Sequence, residues 1–206
     1  MTGPASVRAR VTMPVRLGEV ETVAEVVTFD GLVDGLEHVA VVLGHPERAE
    51  PGEVPLVRLH SECLTGDVLG SRRCDCGPQL REAVDRIEAT GGYLLYLRQE
   101  GRGIGLYAKL DAYLLQDIGL DTYDANLALG YAADARDYTA AAQMLAALGV
   151  DRLALLTNNP DKARQLSAHG VEITERVPTA VHLTASNRRY LSAKAHRGSH
   201  ALELGA

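Results

Sequence analysis

Cysteine is scarce in this sequence: 206 residues contain three, and the odd number argues against a self-contained disulfide framework. No apolar run approaches the roughly 20 residues needed to span a bilayer, so no membrane segment is expected. The opening residues, MTGPASVRARV, lack the apolar stretch of a secretory signal, and the expected location is the cytoplasm, where thiols stay reduced. Positive charge is also in short supply. A formal net charge of −6 predicts no general affinity for nucleic acid or an anionic membrane. Lysine is the rarer cation, with 3 Lys against 18 Arg. Arginine binds phosphate bidentately, so a local anion site within an acidic protein fits this bias, and codon usage favouring Arg explains it as well.

What remains is a globular composition, 46% hydrophobic and 23% charged, in a length that suits one good-sized domain. All three cysteines fall within LVRLHSECLTGDVLGSRRCDCGPQL, Leu56 to Leu80, in the pattern C-x10-C-x-C formed by Cys63, Cys74 and Cys76. Three thiolate ligands leave a fourth position open for water, which is how a catalytic zinc site is built. Two other readings stay open: a structural zinc completed by a histidine, and reduced or redox cysteines. C-x-C lacks the two intervening residues of a thioredoxin-like motif. Leu56, Arg58, His60 and Glu62 alternate along one face of a predicted strand. Glu62, next to a metal ligand, suits acid–base work; a solvated carboxylate paired with Arg72 or Arg73 is the plainer alternative.

Along the chain, residues 1 to about 55 read as β-rich, with HVAVVLG a short apolar strand and HPERAEPGEVP an exposed loop. A helix follows Cys76, with Pro78 in its first turn, Leu80, Ala83, Val84 and Ile87 on one face, and Thr90-Gly91-Gly92 at its end. Tyr93 to Leu97 reads as a buried strand running into RQEGRGIGL, where Gly101, Gly103 and Gly105 precede a helix through Leu106, Leu110, Tyr113 and Leu114. Backbone N–H groups at such a junction surround anions readily, and a purely structural glycine turn remains the alternative. The spacing is not the dinucleotide fingerprint. A further helix spans Asp137 to Leu148 and a strand spans Arg152 to Leu156. Asn159-Pro160 then open a helix to about Ala168, and VEIT forms the next strand. This order suggests a βαβ unit with Thr157 and Lys162 at the functional end of its first strand. Lys162 suits a phosphate contact or an ordinary surface position. The expected fold class is α/β (α+β): a mixed sheet with flanking helices, β-rich in its N-terminal part and βαβ-like in its C-terminal part. Residues 1–183 read as a single catalytic domain and 184–206 as a polar tail.

Taken in order, HSECLTGD, C-D-C-G, RQEGRGIGL, AADARD and LLTNNP resemble GTP cyclohydrolase II, which opens riboflavin biosynthesis. The resemblance covers about residues 10 to 200. It implies hydrolysis of GTP to 2,5-diamino-6-(5-phosphoribosylamino)pyrimidin-4-one, formate and pyrophosphate. It also implies one zinc per chain on Cys63, Cys74 and Cys76, Mg2+ on the substrate triphosphate, and a homodimer. By the same resemblance Arg58, Leu59, His60, Ser61, Glu62, Gln79, Glu100, Gly101, Arg102, Thr122, Thr157 and Lys162 are GTP contacts. Asp134 is the acid–base residue, Arg136 the nucleophile, and Tyr113 the tyrosine beside the ring-opening chemistry. A guanidinium stays protonated in proteins, so a charge clamp on the α-phosphate is the conservative role for Arg136. A nucleobase deaminase would carry P-C-x-x-C, which is absent here. A zinc-stabilised binding module would leave GTP intact, and a ring-opening variant would retain the formyl group.

Overall fold

Strands β1 (Ser6–Leu17) and β2 (Val20–Asp30) form a long antiparallel ribbon, rich in Val and Thr and turned at Gly18, whose φ of 68° is left-handed. The computed structural model describes residues 4–48, 52–132, 134–184 and 186–187. Strands β3 (Val39–Leu43), β4 (Leu56–Ser61), β5 (Gly92–Leu97), β6 (Arg152–Leu156) and β7 (Glu172–Val177) complete a seven-stranded sheet ordered β1-β2-β3-β5-β4-β6-β7. Pairing is antiparallel from β1 through β3 to β5, and parallel between β4 and β6 and between β6 and β7. The mixed α/β fold is the one the sequence predicts.

The chain divides into two compact units. One comprises Met1–His60, Leu80–Arg98 and Asp137–Thr179, and the other Ser61–Gln79, Gln99–Arg136 and Ala180–Ala206. The first contains the sheet and two hydrophobic layers. Helices α5 (Thr139–Leu148) and α6 (Pro160–Ala168) supply Ala141, Met144, Leu145 and Leu166 against Val57, Leu59, Leu95, Leu153 and Leu155. A separate layer joins Ala83, Val84 and Ile87 of helix α2 (Cys76–Thr90) to Leu56, Leu94 and Leu156. Neighbouring strand residues therefore serve different layers, as the pleat requires. Gly92 is confined here by space: a Cβ would lie 1.9 Å from the Leu56 carbonyl oxygen.

β4 is buried on both faces, including the one that Leu56, Arg58 and His60 share. Leu56 through His60 are all buried, because β4 is an inner strand with β5 and β6 as neighbours. Arg58 and His60 are therefore buried polar groups, not residues of a wet face. The α6 start follows its sequence signals, with the Asn159 side chain accepting from the Asp161 N–H and Pro160 in the first turn.

The second unit is loop-rich, with short helices α1 (Leu64–Asp67) and α4 (Thr122–Ala128), neither expected from the periodicity, and the longer α3 (Leu106–Asp117). Asp121 caps α4 by accepting from the N–H groups of Tyr123 and Asp124. Tyr107, Leu114 and Ile118 of this unit are largely exposed. Of the tail read as 184–206, only Thr184, Ser186 and Asn187 are described; the rest lies outside the described residues.

Candidate active site

The three cysteines converge within the second unit. Their Sγ atoms all lie within 4.8 Å of one another, and Cys63 Sγ is 3.7 Å from Cys74 Sγ. Two sulfurs on one tetrahedral zinc, each about 2.3 Å from it, stand about 3.8 Å apart. Position 66 fits the same geometry. A Cβ on Gly66 would lie 2.8 Å from Cys74 Sγ and 3.0 Å from Cys63 Sγ, so the turn closes on the sulfurs only without a side chain. The Cys63 N–H donates to Asp67 Oδ2, and the Cys63 carbonyl accepts from the N–H groups of Gly66 and Asp67. Asp75, between the other two cysteines, is fully buried and accepts from the Gln79 amide at 2.6 Å.

The donor set is one that a cation relieves. Hydrogen bonds from Cys74 and Cys76 hold the Cys63 thiol far below its ordinary pKa, with Lys109 adding to the effect against the opposing pull of burial. The hydrogen bond to Cys63 pushes Cys74 up to about 11, and bonds to Cys63 and Cys74 raise Cys76 well above the thiol range. Sulfurs this close repel one another as thiolates, and a bound metal lets all three ionise.

The glycine turn lies in the same unit. Residues Glu100–Gly103 form a 3-10 turn in which Gly101 and Arg102 both have φ of 63°. A left-handed conformation is uncommon for a side chain such as arginine and costs about 1–2 kcal/mol. The Arg102 carbonyl accepts from the Ala135 N–H, and its guanidinium lies 4.2 Å from the Tyr123 ring centroid. Its buried Nη1 has no hydrogen-bond partner among the described residues, and neither does Ser61 Oγ. Glu100 is buried; its Oε2 accepts from the Leu64 N–H at 2.7 Å and its Oε1 from Lys109 Nζ at 2.7 Å.

Asp134 and Arg136 form a tight pair. The Arg136 Nε donates to Asp134 Oδ1 at 2.9 Å and Nη2 donates to Oδ2. Burial works to raise the Asp134 pKa, but the Arg136 guanidinium outweighs it and keeps the carboxyl below the usual range. Burial raises the Tyr113 pKa, so the phenol holds its proton at neutral pH.

A sequence profile described as GTP cyclohydrolase II matches residues 6–178. The chain is 54% identical over 201 residues to a GTP cyclohydrolase-2 of Vibrio cholerae, covering 97% of this chain and all of that protein. It is 49% identical over 181 residues to the GTP cyclohydrolase-2 of Psychromonas ingrahamii, covering 88% of this chain and 90% of that one. It is also 50% identical over 195 residues to the riboflavin biosynthesis protein RibBA of Bacillus mycoides, covering 94% of this chain and 47% of that protein. The chain belongs to the GTP cyclohydrolase II family.

The residues expected to serve a GTP cyclohydrolase II fall in both units. In the sheet unit Arg58 Nη1 donates to the Leu156 carbonyl at 3.0 Å, and Lys162 Nζ to the Leu59 carbonyl at 2.6 Å. Thr157, buried just past β6, accepts at Oγ1 from the Asn159 N–H. Lys162 is only 5% exposed, which overturns its reading as a surface lysine. The Leu59 side chain belongs to the core, leaving its backbone as what it can offer. His60 stacks on Tyr96 with ring centroids 5.6 Å apart. The other unit contains Ser61, Glu62, the cysteines, Gln79, Glu100 to Arg102, Tyr113, Thr122, Asp134 and Arg136. Arg73 pairs with Asp117 and lies over the Tyr113 ring. Lys109, Thr65, Asp75 and Tyr123 escaped the sequence reading. For Lys109 the available signal was the scarcity of lysine itself.

Among the described residues no helix is long and apolar enough to cross a membrane.

Proposed function

We propose that this chain hydrolyses GTP to 2,5-diamino-6-(5-phosphoribosylamino)pyrimidin-4-one, formate and pyrophosphate, the first step of riboflavin biosynthesis. The observation that carries this reading is the trio of sulfurs, all within 4.8 Å of one another and one pair at the 3.7 Å that suits tetrahedral zinc, in a chain of this family. Cys63, Cys74 and Cys76 hold one zinc, which supplies a Lewis acid able to activate water near neutral pH. Glu62 and Tyr113 serve the ring-opening chemistry beside it. Tyr113 keeps its proton and so offers a donor where negative charge develops on the base.

Arg58, Leu59, His60, Ser61, Glu62, Gln79, Glu100, Gly101, Arg102, Thr122, Thr157 and Lys162 are the GTP contacts in this reading. Arg102 suits the triphosphate best, because a buried N–H of its guanidinium lacks a protein acceptor among the described residues. Mg2+ accompanies the phosphates. Asp134 and Arg136 act at the α-phosphate. A guanidinium paired to an ionised carboxylate keeps its proton, which favours Arg136 as a cationic clamp, with Asp134 holding it and serving as a weak base. We place the protein in the cytoplasm, as a homodimer without nucleic-acid or membrane partners. The exposed side chains of Tyr107 and Leu114 on α3 and of Ile118 at its C-terminal cap support self-association.

Incubation with GTP and Mg2+, with formate and pyrophosphate measured separately, tests the activity. Both products are expected. Ammonia in place of formate would make the protein a deaminase, retention of the formyl group a ring-opening enzyme alone, and intact GTP a binding module.

A further inference from the structure

We infer that Lys109 is a positioning residue for the metal centre, balancing its excess thiolate charge and tying it to the glycine turn; this rests on the zinc reading above. Three side chains accept from its ammonium: Cys63 Sγ at 3.1 Å, Thr65 Oγ1 at 3.1 Å and Glu100 Oε1 at 2.7 Å. These match the three N–H donors of a lysine one for one. The side chain is only 12% exposed and its partner Glu100 8%. Burying an ammonium is costly unless it is fully paired, so an inward-turned lysine here answers a local charge.

That charge comes from the sulfurs. A divalent cation on three thiolates carries one negative charge in excess, and Glu100 adds another. Lys109 offsets the first and bonds the second. An N–H donated to a thiolate also draws electron density from the sulfur, which restores Lewis acidity that three thiolates would otherwise quench. This is the part that outer-shell partners play at metal sites.

The contact has a mechanical side too. Glu100 receives Lys109 on one oxygen and the Leu64 N–H on the other, and its Oε1 also accepts from the Gly101 N–H at 2.9 Å. One ammonium and one carboxylate thus join the first metal ligand's loop to the turn that carries Arg102.

The test uses the full chain with wild type, Lys109→Met and Lys109→Arg. Two quantities are read: zinc affinity by chelator competition, and the thiolate-to-metal absorption of the cobalt-substituted protein. Lys109→Met is expected to weaken zinc binding about 10- to 100-fold. Its cobalt band should move to longer wavelength, because an unbonded sulfur lone pair lies higher in energy. Lys109→Arg should recover most of both. Thr65→Val, which removes a hydroxyl beside the ammonium and Cys63, should shift the band less and in the same direction; it carries the test if Lys109→Met does not fold. Wild-type affinity and an unmoved band in Lys109→Met, or an unmoved band in Thr65→Val where that variant carries the test, would overturn the inference and leave the zinc centre standing. A wild type that binds no zinc would overturn the metal reading as well.

Discussion

In the sheet-bearing unit Leu95, Met144, Leu145, Leu153, Leu155 and Ile87 have no access to solvent, and buried polar groups such as Arg58, His60, Thr157 and Lys162 lie in β4, just past β6 and in α6. In the cysteine-bearing unit the buried groups include Asp75, Gln79, Glu100 and Asn126, while Val68, Leu69, Tyr107 and Ile118 are more than two-thirds exposed. Each buried aliphatic side chain of the first kind contributes about 1.5–3 kcal/mol. Polar contacts of the second kind contribute about 1 kcal/mol each, and more where a charge is involved. The apolar layers of the first unit are therefore held by many interchangeable contacts, and the second unit by a few specific polar ones. Loss of one contact should change stability in the former and chemistry in the latter.

The strongest way to break that contrast is Cys74→Ser. It should abolish formate release, while amides in β3, β5 and β6 keep their hydrogen-exchange protection. Collapse of protection across the sheet would show that the metal holds up both units. Leu145→Ala, in the α5 layer, should reverse the pattern. A loss of about 2–5 kcal/mol in unfolding free energy is expected, read by denaturant titration, with zinc content unchanged.

Arg102→Ala sharpens the comparison inside the polar unit. GTP binding should weaken by an amount on the order of 2–5 kcal/mol, measured by calorimetry, with zinc content intact. Unchanged affinity would return the turn to a purely structural role. The smallest effect concerns Asp134. Its pKa is lowered in the folded protein, so its stabilising contribution is complete above the unfolded carboxyl value of about 3.9 and fades as pH falls through the lower folded value. An NMR titration should find its midpoint below that of an ordinary aspartate, and Arg136→Ala should raise it.

Much of the sheet unit is legible in the sequence, since its signals are local. Asn159 and Pro160 mark the start of α6, Gly149 marks the end of α5 with φ of 74°, and Leu80, Ala83, Val84 and Ile87 repeat at helical spacing. The buried state of Arg58 and His60 was not legible, because it depends on which strands flank β4. The cysteine cluster could be read from spacing, and family resemblance supplied roles for the residues around it. Lys109 could not be found by spacing. It lies 46 residues from Cys63 and 9 from Glu100, and no local motif links them. Its rarity was a clue: Lys109 is mostly buried and Lys162 almost wholly so, and a chain of 18 Arg and 3 Lys uses both where a compact ammonium fits.

Gly66 and Gly92 both exclude a methyl group, yet they forbid it for different reasons, and a deep mutational scan that scores abundance and activity separately would tell them apart. At Gly92 the obstacle is the Leu56 backbone, so every substitution should deplete the protein from the cell. At Gly66 the obstacle is the sulfur atoms, and its φ lies outside the left-handed region. Alanine there should leave abundance near normal and remove activity. A genotype map of this gene would record position 92 as a folding constraint and position 66 as the imprint of an ion.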